Sequence, residues 1–396
     1  MISTYLLLIA LSAIILIGYL SDTLFRLTRI PEILILMLIG IILVPLGHVI
    51  PDKYVSILRD LVPLFGSIAL IIIMFDGGRK IDLSASFSGS GNGLILAILD
   101  IIFSMIVVSL FMYYIFSWPF IYGAILGTIL GETTATVIIP VATRIKIPND
   151  LYNMSISEAT FNSVVDILVF YLLLALVTGS SFDISSYIKF AVNYLSIALS
   201  LGFFAGFLWL FTLNIIKGTR GYVATLGIAF LLYGIVDFLG GAAVFAIFIF
   251  AIVIGNYKII GKHLNLKIDI HENEMNIVEN ELEFLVRTFF FVFMGMITIL
   301  SITYFIYALI ITSFLILIRM GEIKLVVRKK EYHNFMISLL PRGLTVAVLA
   351  SILLSIGSSY FDDIFYISSI VIVTTNIIAA ILISISVKPL EKISYN

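Results

Sequence analysis

Residues 127–140 read GTILGETTATVIIP, an apolar segment that is interrupted by two glycines, Glu132 and several threonines and that ends in Pro140. Inside a lipid bilayer, such a sequence favours an unwound stretch whose backbone groups face protein or a water-filled cavity. Residues 338–345 read SLLPRGLT and have the same effect, because Pro341 removes a backbone donor and Gly343 permits unusual backbone angles. Two such broken helices, at corresponding positions in two halves of a chain, indicate the midplane binding site of a transporter.

The composition of the whole chain is that of a membrane protein. Of its 396 residues, 61% are hydrophobic and 12% are charged, whereas a soluble domain is roughly 45–50% apolar and about 25% charged. These values exclude a cytoplasmic enzyme, a disordered chain and a fibrous repeat. The chain has no cysteine and four histidines, without HExxH-type spacing, so we expect no cofactor and no thiolate or histidine metal site.

Thirteen runs are apolar and long enough to cross a bilayer as helices, which takes about 20 residues each. They are roughly 3–20, 31–49, 57–76, 93–116, 119–143, 151–178, 186–214, 221–239, 242–256, 280–299, 301–327, 333–356 and 364–388. Short turns connect many of these runs, which is typical of a helical bundle, whereas a membrane β-barrel has alternating segments of about ten residues. The sequence therefore predicts an all-α integral membrane protein with about 13 transmembrane helices.

The positions of the two broken helices predict two inverted six-helix repeats whose discontinuous helices cross. If the seventh run is a linker, the fifth run of the first repeat corresponds to the twelfth run, which is the fifth of the second repeat. Because the linker is a single helix, the second repeat begins on the opposite side of the membrane and is inverted. We expect the first repeat at 1–178, the linker helix at 179–217 and the second repeat at 218–396, with no soluble domain.

Basic residues predict the orientation in the membrane. The connections after the odd-numbered runs, with the C-terminal tail, hold 17 lysines and arginines, and the other connections hold 3. Cytoplasmic loops carry an excess of these residues. We therefore expect a multi-pass protein of the cell membrane with its N-terminus outside and its C-terminus in the cytoplasm.

Charged residues inside the predicted spans are candidate functional residues, because a charge at the bilayer centre costs about 2.5–3.5 kcal/mol. Of these we single out Asp76, Asp100, Glu132, Glu158, Asp166, Asp237, Arg287, Arg319 and Arg342. Glu158, Asn162 and Asp166 are spaced four residues apart and share one helix face. We expect Arg342 to pair with an acid of this face, since a buried guanidinium needs a carboxylate. Arg319, near a helix end, is expected to extend to the membrane interface.

In their order and spacing, these segments resemble the monovalent cation/proton antiporter superfamily, nearest its archaeal and bacterial sodium/proton antiporter branch. The similar segments cover nearly the whole chain and are IIIMFDGGRKIDLS, GTILGETTATVIIP, SEATFNSVVDILVF, LYGIVDFLGGAAVFAIFIFAIVIGN, VRTFFFVFMGM and LLPRGLTVAVLA. The resemblance implies a homodimer that works by alternating access.

The resemblance also implies roles for individual residues. Glu158 and Arg342 match a structural ion pair in the core of the bundle. Asn162 matches the amide of an Asn-Asp pair, and Thr133 matches the threonine of the unwound helix. Asp76 matches an acid on the cytoplasmic side of the ion path.

Three positions depart from the family pattern, and one of them is Ala159, which stands where the family often has a serine that joins the site. Ser163 stands where the family has the aspartate that binds cation and proton in turn, and Thr134 stands where the unwound helix has an aspartate. The exchanging carboxylate is therefore expected elsewhere, with Asp166 as the first candidate, Glu132 as the second and Asp76 as the third. The complete candidate site is Asp166, Asn162, Thr133, Thr134, Ser163, Glu132 and Asp76.

These observations predict a secondary transporter, not an enzyme, that exchanges Na⁺, or else Li⁺ or K⁺, for H⁺ and serves pH homeostasis. Such a hard cation prefers oxygen ligands, which Asp166, Asn162 and Thr133 offer together with backbone carbonyls. The expected partners are this cation, protons, the bilayer and a second copy of the chain, with no nucleic acid and no other metal. The alternative is a passive cation channel or uniporter on the same fold, without proton coupling.

Overall fold

The structure is a computed structural model that describes residues 4–28, 30–48, 51–81, 91–133, 147–179, 184–215, 221–264 and 272–393. Within these ranges the chain forms fifteen α-helices. In chain order they are α1 (Thr4–Thr28), α2 (Glu32–Ile41), α3 (Asp52–Arg79), α4 (Gly91–Phe116), α5 (Phe120–Leu130), α6 (Asn149–Thr178), α7 (Ile184–Ile215), α8 (Gly221–Phe238), α9 (Ala243–Gly255), α10 (Tyr257–Leu264), α11 (Glu272–Ile297), α12 (Ile302–Val326), α13 (His333–Ser338), α14 (Leu344–Leu353) and α15 (Ser359–Ile393).

Every predicted apolar run contains at least one of these helices, and the predicted all-α membrane fold is confirmed. Seven of the described helices are long and apolar enough to cross a membrane, or eight if the bent pair α9 and α10 forms one span. Other runs are built from shorter apolar helices, among them α2, α5 and α14. These helices are shorter because the chain leaves α-helical geometry within the run, as the glycines and prolines predict.

The described chain forms two compact units. The first unit consists of Met1–Ser67, Gly89–Asp166 and Phe284–Asn396, and the second consists of Ile68–Ser88 and Ile167–Glu283. The boundaries between them fall inside α3, α6 and α11. The predicted six-helix repeats concern internal symmetry rather than compactness, and their boundaries stay a prediction.

In the first unit, glycines let α5 lie directly against α4. A Cβ atom on Gly127 would come within 2.6 Å of the Ser104 carbonyl oxygen, and one on Gly123 would come within 2.8 Å of the Ser109 Cα. The helix then ends at Gly131, where a Cβ atom would come within 3.0 Å of the Ile101 Cα. This close packing places Gly131, which follows α5, next to the backbone of Asp100 and Ile101 on α4.

The second predicted break is also in the first unit, where α13 ends at Ser338 and α14 begins at Leu344. Backbone groups of the non-helical stretch between them need partners in this dry interior. Two residues of α15 provide partners at Arg342. The Arg342 N–H lies 3.3 Å from the Thr375 hydroxyl, and Asn376 donates to the Arg342 carbonyl at 2.9 Å. The break is therefore held by side chains of a neighbouring helix.

The second unit contains a bend that the sequence does not predict. Helices α9 and α10 meet at 68° next to Asn256. The Asn256 amide donates to the Ile81 carbonyl at 2.7 Å and to the Ile252 carbonyl at 2.8 Å. A Cβ atom on Gly255 would come within 2.2 Å of the Arg79 carbonyl oxygen. The end of α3 thus packs tightly against the bend.

Candidate ion-binding site

The candidate site in the first unit lies where the non-helical end of α5 meets α6. Asn162 on α6 is fully buried and donates to the Gly131 carbonyl at 3.1 Å. The neighbouring Ser163 hydroxyl lies 2.9 Å from Oε1 of Glu132 and 3.1 Å from the Ala159 carbonyl. These contacts hold the unwound residues against the polar face of α6, and the Ser163 hydroxyl orients the Glu132 carboxylate.

Several buried oxygen atoms at this meeting point have no hydrogen-bond partner among the described residues. They are both carboxylate oxygens of Asp166, Oε2 of Glu132, Oδ1 of Asn162 and the hydroxyl oxygens of Thr128 and Thr133. Buried polar groups are normally paired, because an unpaired one costs free energy on folding. All of these atoms are oxygens that can accept, which suits a hard cation or, at the carboxylates, a proton.

The electrostatic surroundings of Asp166 distinguish it from the other acids of the site. Its side chain is fully buried, and the charged groups that act on it are Glu132, Arg342 and Asp100. Glu132 lies close to Gly343 and Thr345 at the start of α14, where the helix dipole favours negative charge. The structure therefore brings the first two candidates for the exchanging carboxylate, Asp166 and Glu132, into one buried site.

The predicted ion pair between Glu158 and Arg342 is wrong, because Glu158 pairs with Arg319 instead. Both terminal nitrogens of Arg319 contact the Glu158 carboxylate, with Nη2 3.2 Å from Oε2. Nη1 of Arg319 also lies 2.8 Å from Oε1 of Glu322, and Nε donates to the Met336 carbonyl at 3.1 Å. Two acids and a carbonyl thus satisfy one guanidinium.

The expected extension of Arg319 to the membrane interface is wrong for the same reason. Its side chain is completely buried, because Glu322 follows one turn later on α12 and provides a local carboxylate. The i, i+3 spacing of these two residues is the sequence signal that could have indicated a buried pair.

Arg342 lies beside a different acid. Its Nη2 is 3.7 Å from Oδ1 of Asp100, and both side chains are completely buried. No guanidinium nitrogen of Arg342 has a hydrogen-bond partner among the described residues. Arg342 is therefore a loosely held positive charge between Asp100 and the Asp166 and Glu132 carboxylates.

Two candidates remain, Asp76 and Thr134. Asp76 belongs to the second unit, where its carboxylate lies 2.5 Å from Lys80 and 4.0 Å from Arg79. Thr134 lies outside the described residues. Asn162, Ser163 and Thr133 lie together with the two acids, as described above.

Three acids neutralise arginines near the ends of helices. The sequence did not indicate these acids as candidates. Glu322 contacts Arg319 as described, Glu32 lies 2.5 Å from Arg287, and Glu279 contacts Arg79. Glu32 and Glu322 lie within predicted apolar runs but near the polar ends of their helices, where a charge is expected to face water, and Glu279 lies just before the run that begins at 280.

Comparison with known proteins identifies the family. A family model described as the transmembrane sodium/hydrogen exchanger matches residues 11–389 of the chain. The chain belongs to this exchanger family. The predicted resemblance is confirmed, and the exchanger is a multi-pass membrane antiporter rather than a member of an enzyme class.

Solved structures with a similar fold include two of the sodium proton antiporter MjNhaP1 from Methanocaldococcus jannaschii. One, determined at pH 8, shares 19% identity with this exchanger, covers 96% of this chain and 98% of that chain, and gives a TM-score of 0.80. The other, an electron-microscopy map, shares 22% identity, covers 99% and 98% of the two chains, and gives a TM-score of 0.78. A comparison with curated protein sequences finds no match.

Proposed function

We propose that this exchanger binds Na⁺ and H⁺ in turn at Asp166 and Glu132, with Asn162 and Thr133 completing the site. The observation that supports this proposal is the group of buried oxygen acceptors without partners at the meeting point of α5 and α6. Both carboxylates belong to that group, and their unpartnered oxygens include every oxygen of Asp166. A cation or protons would supply what these oxygens lack.

Competition between cation and proton follows from the chemistry of two neighbouring acids. Two carboxylates in a dry site do not both stay ionised unless a cation lies between them. With Na⁺ bound, both acids are ionised, and the Asn162 amide oxygen and Thr133 hydroxyl add neutral ligands. When Na⁺ leaves, a proton replaces its charge. Alternating access then exposes each loaded state to one side of the membrane.

Ser163 and Glu132 together compensate for the aspartate that is missing from α6. The family places its exchanging carboxylate at the position of Ser163, whereas here the serine hydroxyl contacts a glutamate of the unwound segment. A carboxylate of the neighbouring segment thereby joins Asp166 of α6 in the proposed site. Oε1 of Glu132 is oriented by the serine, which leaves Oε2 for the cation.

At the level of the cell, we propose a homodimer in the cell membrane with its N-terminus outside, its C-terminus in the cytoplasm and a role in pH homeostasis. The distribution of basic residues supports the orientation, and the family resemblance supports the dimer. Li⁺ and K⁺ are further candidate substrates, because the proposed ligands are oxygens that do not by themselves distinguish these cations.

The test is proton movement driven by an imposed Na⁺ gradient in proteoliposomes. We expect Asp166→Asn and Glu132→Gln each to abolish this coupled flux while the protein stays folded, and the exposed Glu281→Gln variant to retain it. Full exchange in both site variants would refute the assignment of the site. Passage of Na⁺ through the unmutated protein without proton movement would instead support a channel or uniporter.

A further inference from the structure

The first unit contains a second group of buried charges besides the proposed cation site. It consists of Asp100 on α4, Glu158 on α6, Arg319 and Glu322 on α12, and Arg342 in the break before α14. These side chains are at most 1% exposed. One carboxylate oxygen from each of the three acids lies within 4.8 Å of the other two.

Hydrogen bonds saturate only part of this group. Arg319 contacts both oxygens of Glu158 and Oε1 of Glu322. Oε2 of Glu322 has no partner, although it is buried. Glu158 is thus fully paired, and Glu322 is paired on one side only.

Asp100 is also paired on one side only. Its Oδ1 atom lies 3.2 Å from the Ser104 hydroxyl and 3.7 Å from Nη2 of Arg342. Its Oδ2 atom is buried and has no partner. Each of the two acids that are not saturated by Arg319 therefore has one free oxygen.

The charges of the group do not balance without a further positive charge. Three carboxylates and two guanidinium groups leave one excess negative charge, and all five side chains are buried away from the surface. An unpaired charge in such an interior is strongly unfavourable. A single proton removes the excess and needs only two oxygens, one to carry it and one to accept its hydrogen bond.

We propose that Asp100 and Glu322 form a second proton-binding site, in which one carboxyl carries a proton and the other carboxylate accepts its hydrogen bond directly or through one water. The proton stays bound whether or not the transported cation is present. This proposal does not depend on the residues that bind the transported cation.

A metal ion fits this group less well than a proton. Hard cations such as Mg²⁺ and Ca²⁺ collect about six or more oxygen ligands, and this group has two free carboxylate oxygens. A cation next to Glu322 would also face Arg319, whose Nη1 atom lies 2.8 Å from Oε1 of Glu322. Proton binding avoids this repulsion.

Arg342 links the proton site to the proposed cation site. Its charge acts on Asp100 as well as on Asp166 and Glu132. With the proton bound, the negative charge that Asp100 and Glu322 present to Arg342 is reduced by one. The positive potential of Arg342 at the carboxylates of the cation site is then offset by less negative charge from Asp100 and Glu322. We therefore expect the proton site to tune how strongly the neighbouring site holds Na⁺.

The test is infrared difference spectroscopy of the full-length protein in lipid, in which the spectrum of each variant is subtracted from that of the unmutated protein. The measurement detects the carbonyl stretch of a protonated carboxylic acid. At neutral pH we expect a carboxylic acid band that persists at saturating Na⁺ and is lost or shifted in Glu322→Gln and in Asp100→Asn. The exposed Glu281→Gln variant should leave this band unchanged. Asp166→Asn should also leave it unchanged, which separates this site from the proposed cation site.

Four outcomes would overturn the proposal. The first is a spectrum without a Na⁺-independent carboxylic acid band, and the second is such a band that neither Glu322→Gln nor Asp100→Asn alters. The third is a Glu322-dependent band that Na⁺ abolishes, since this would show that a cation occupies the group. Failure of both variants to fold would also contradict it, because an amide matches a protonated acid in shape and charge.

Discussion

Ser163 is a small residue whose hydroxyl decides how Glu132 faces the site. It contacts one carboxylate oxygen of Glu132 and leaves the other without a partner. A hydrogen bond to a charged group contributes about 1.5–3 kcal/mol, and about 1.4 kcal/mol is a tenfold change in affinity. We therefore expect Ser163→Ala to raise the Na⁺ concentration for half-maximal exchange about tenfold or more.

The measurement is the Na⁺ dependence of coupled proton flux in proteoliposomes. Ser155→Ala is the matched control, because Ser155 lies on the same helix and its hydroxyl contacts the Leu151 carbonyl at 2.9 Å instead of the site. An unchanged Na⁺ dependence in Ser163→Ala would show that the serine does not orient the glutamate.

Arg319 and Arg342 differ in how much stability they should contribute. Arg319 satisfies two buried acids and a carbonyl, whereas Arg342 has one charge contact at 3.7 Å and no side-chain hydrogen bond. Breaking a buried pair costs about 3–5 kcal/mol, because the partner is left unpaired. We expect Arg319→Ala to lower the melting temperature more than Arg342→Ala does.

Double-mutant cycles provide the check on this pairing. The coupling between Glu158 and Arg319 should be large, and the coupling between Glu158 and Arg342 should be small, when both are measured as melting shifts in detergent. A larger coupling between Glu158 and Arg342 would instead show that these two residues pair, as the sequence suggested. The sequence could name most of the buried charges, although not Glu322, but it could not give their pairing, because three acids lie within 4.8 Å of one another. Small differences in helix position then decide which guanidinium each acid meets.

At the scale of elements, close packing of α4 and α5 is what positions the site. Gly127→Ala would place a Cβ atom 2.6 Å from the Ser104 carbonyl oxygen, so the two helices would have to separate. We expect this variant to have both a lower melting temperature and less exchange activity. The reason is that Asp100 belongs to one of the two helices in this contact and Glu132 follows the other. Gly227→Ala on α8 is the control, since a Cβ atom there meets nothing within 4 Å. It should be neutral or stabilising, as alanine is favoured over glycine by about 1 kcal/mol in helices. Wild-type behaviour of Gly127→Ala would refute the packing argument.

The elements themselves were largely predictable, but one bend was not. Pro341 and Gly343 predicted the break between α13 and α14, and Gly131 predicted the end of α5, because these residues act on their own backbone. The bend between α9 and α10 has no proline to indicate it. It is accompanied by a contact from Asn256 to the carbonyl of Ile81, a residue far away in the sequence.

At the scale of the molecule, the two compact units depend on contacts between distant segments, which sequence patterns do not predict. The first unit combines three separate segments of the chain, and its charge networks join α4, α6 and α12. Periodicity and composition identify each helix by itself, but these networks depend on contacts between distant segments. The oxygen cluster of the proposed site could thus be anticipated on α6, whereas the group around Asp100 and Glu322 could not.

Orientation in the membrane is the prediction that concerns the whole molecule. The excess of basic residues after odd-numbered runs places the connection after α12 in the cytoplasm and the start of α7 outside. The chain has no cysteine, so single cysteines report their side without background. Lys330 and Lys189 are both exposed. In intact cells, an impermeant thiol reagent should label Lys189→Cys but label Lys330→Cys only after the membrane is permeabilised. Ile125→Cys, at a buried position of α5, should resist labelling in both cases. Labelling of Lys330→Cys from outside would show that the orientation is the opposite of the predicted one. The side from which each ion enters the site would then be reversed as well.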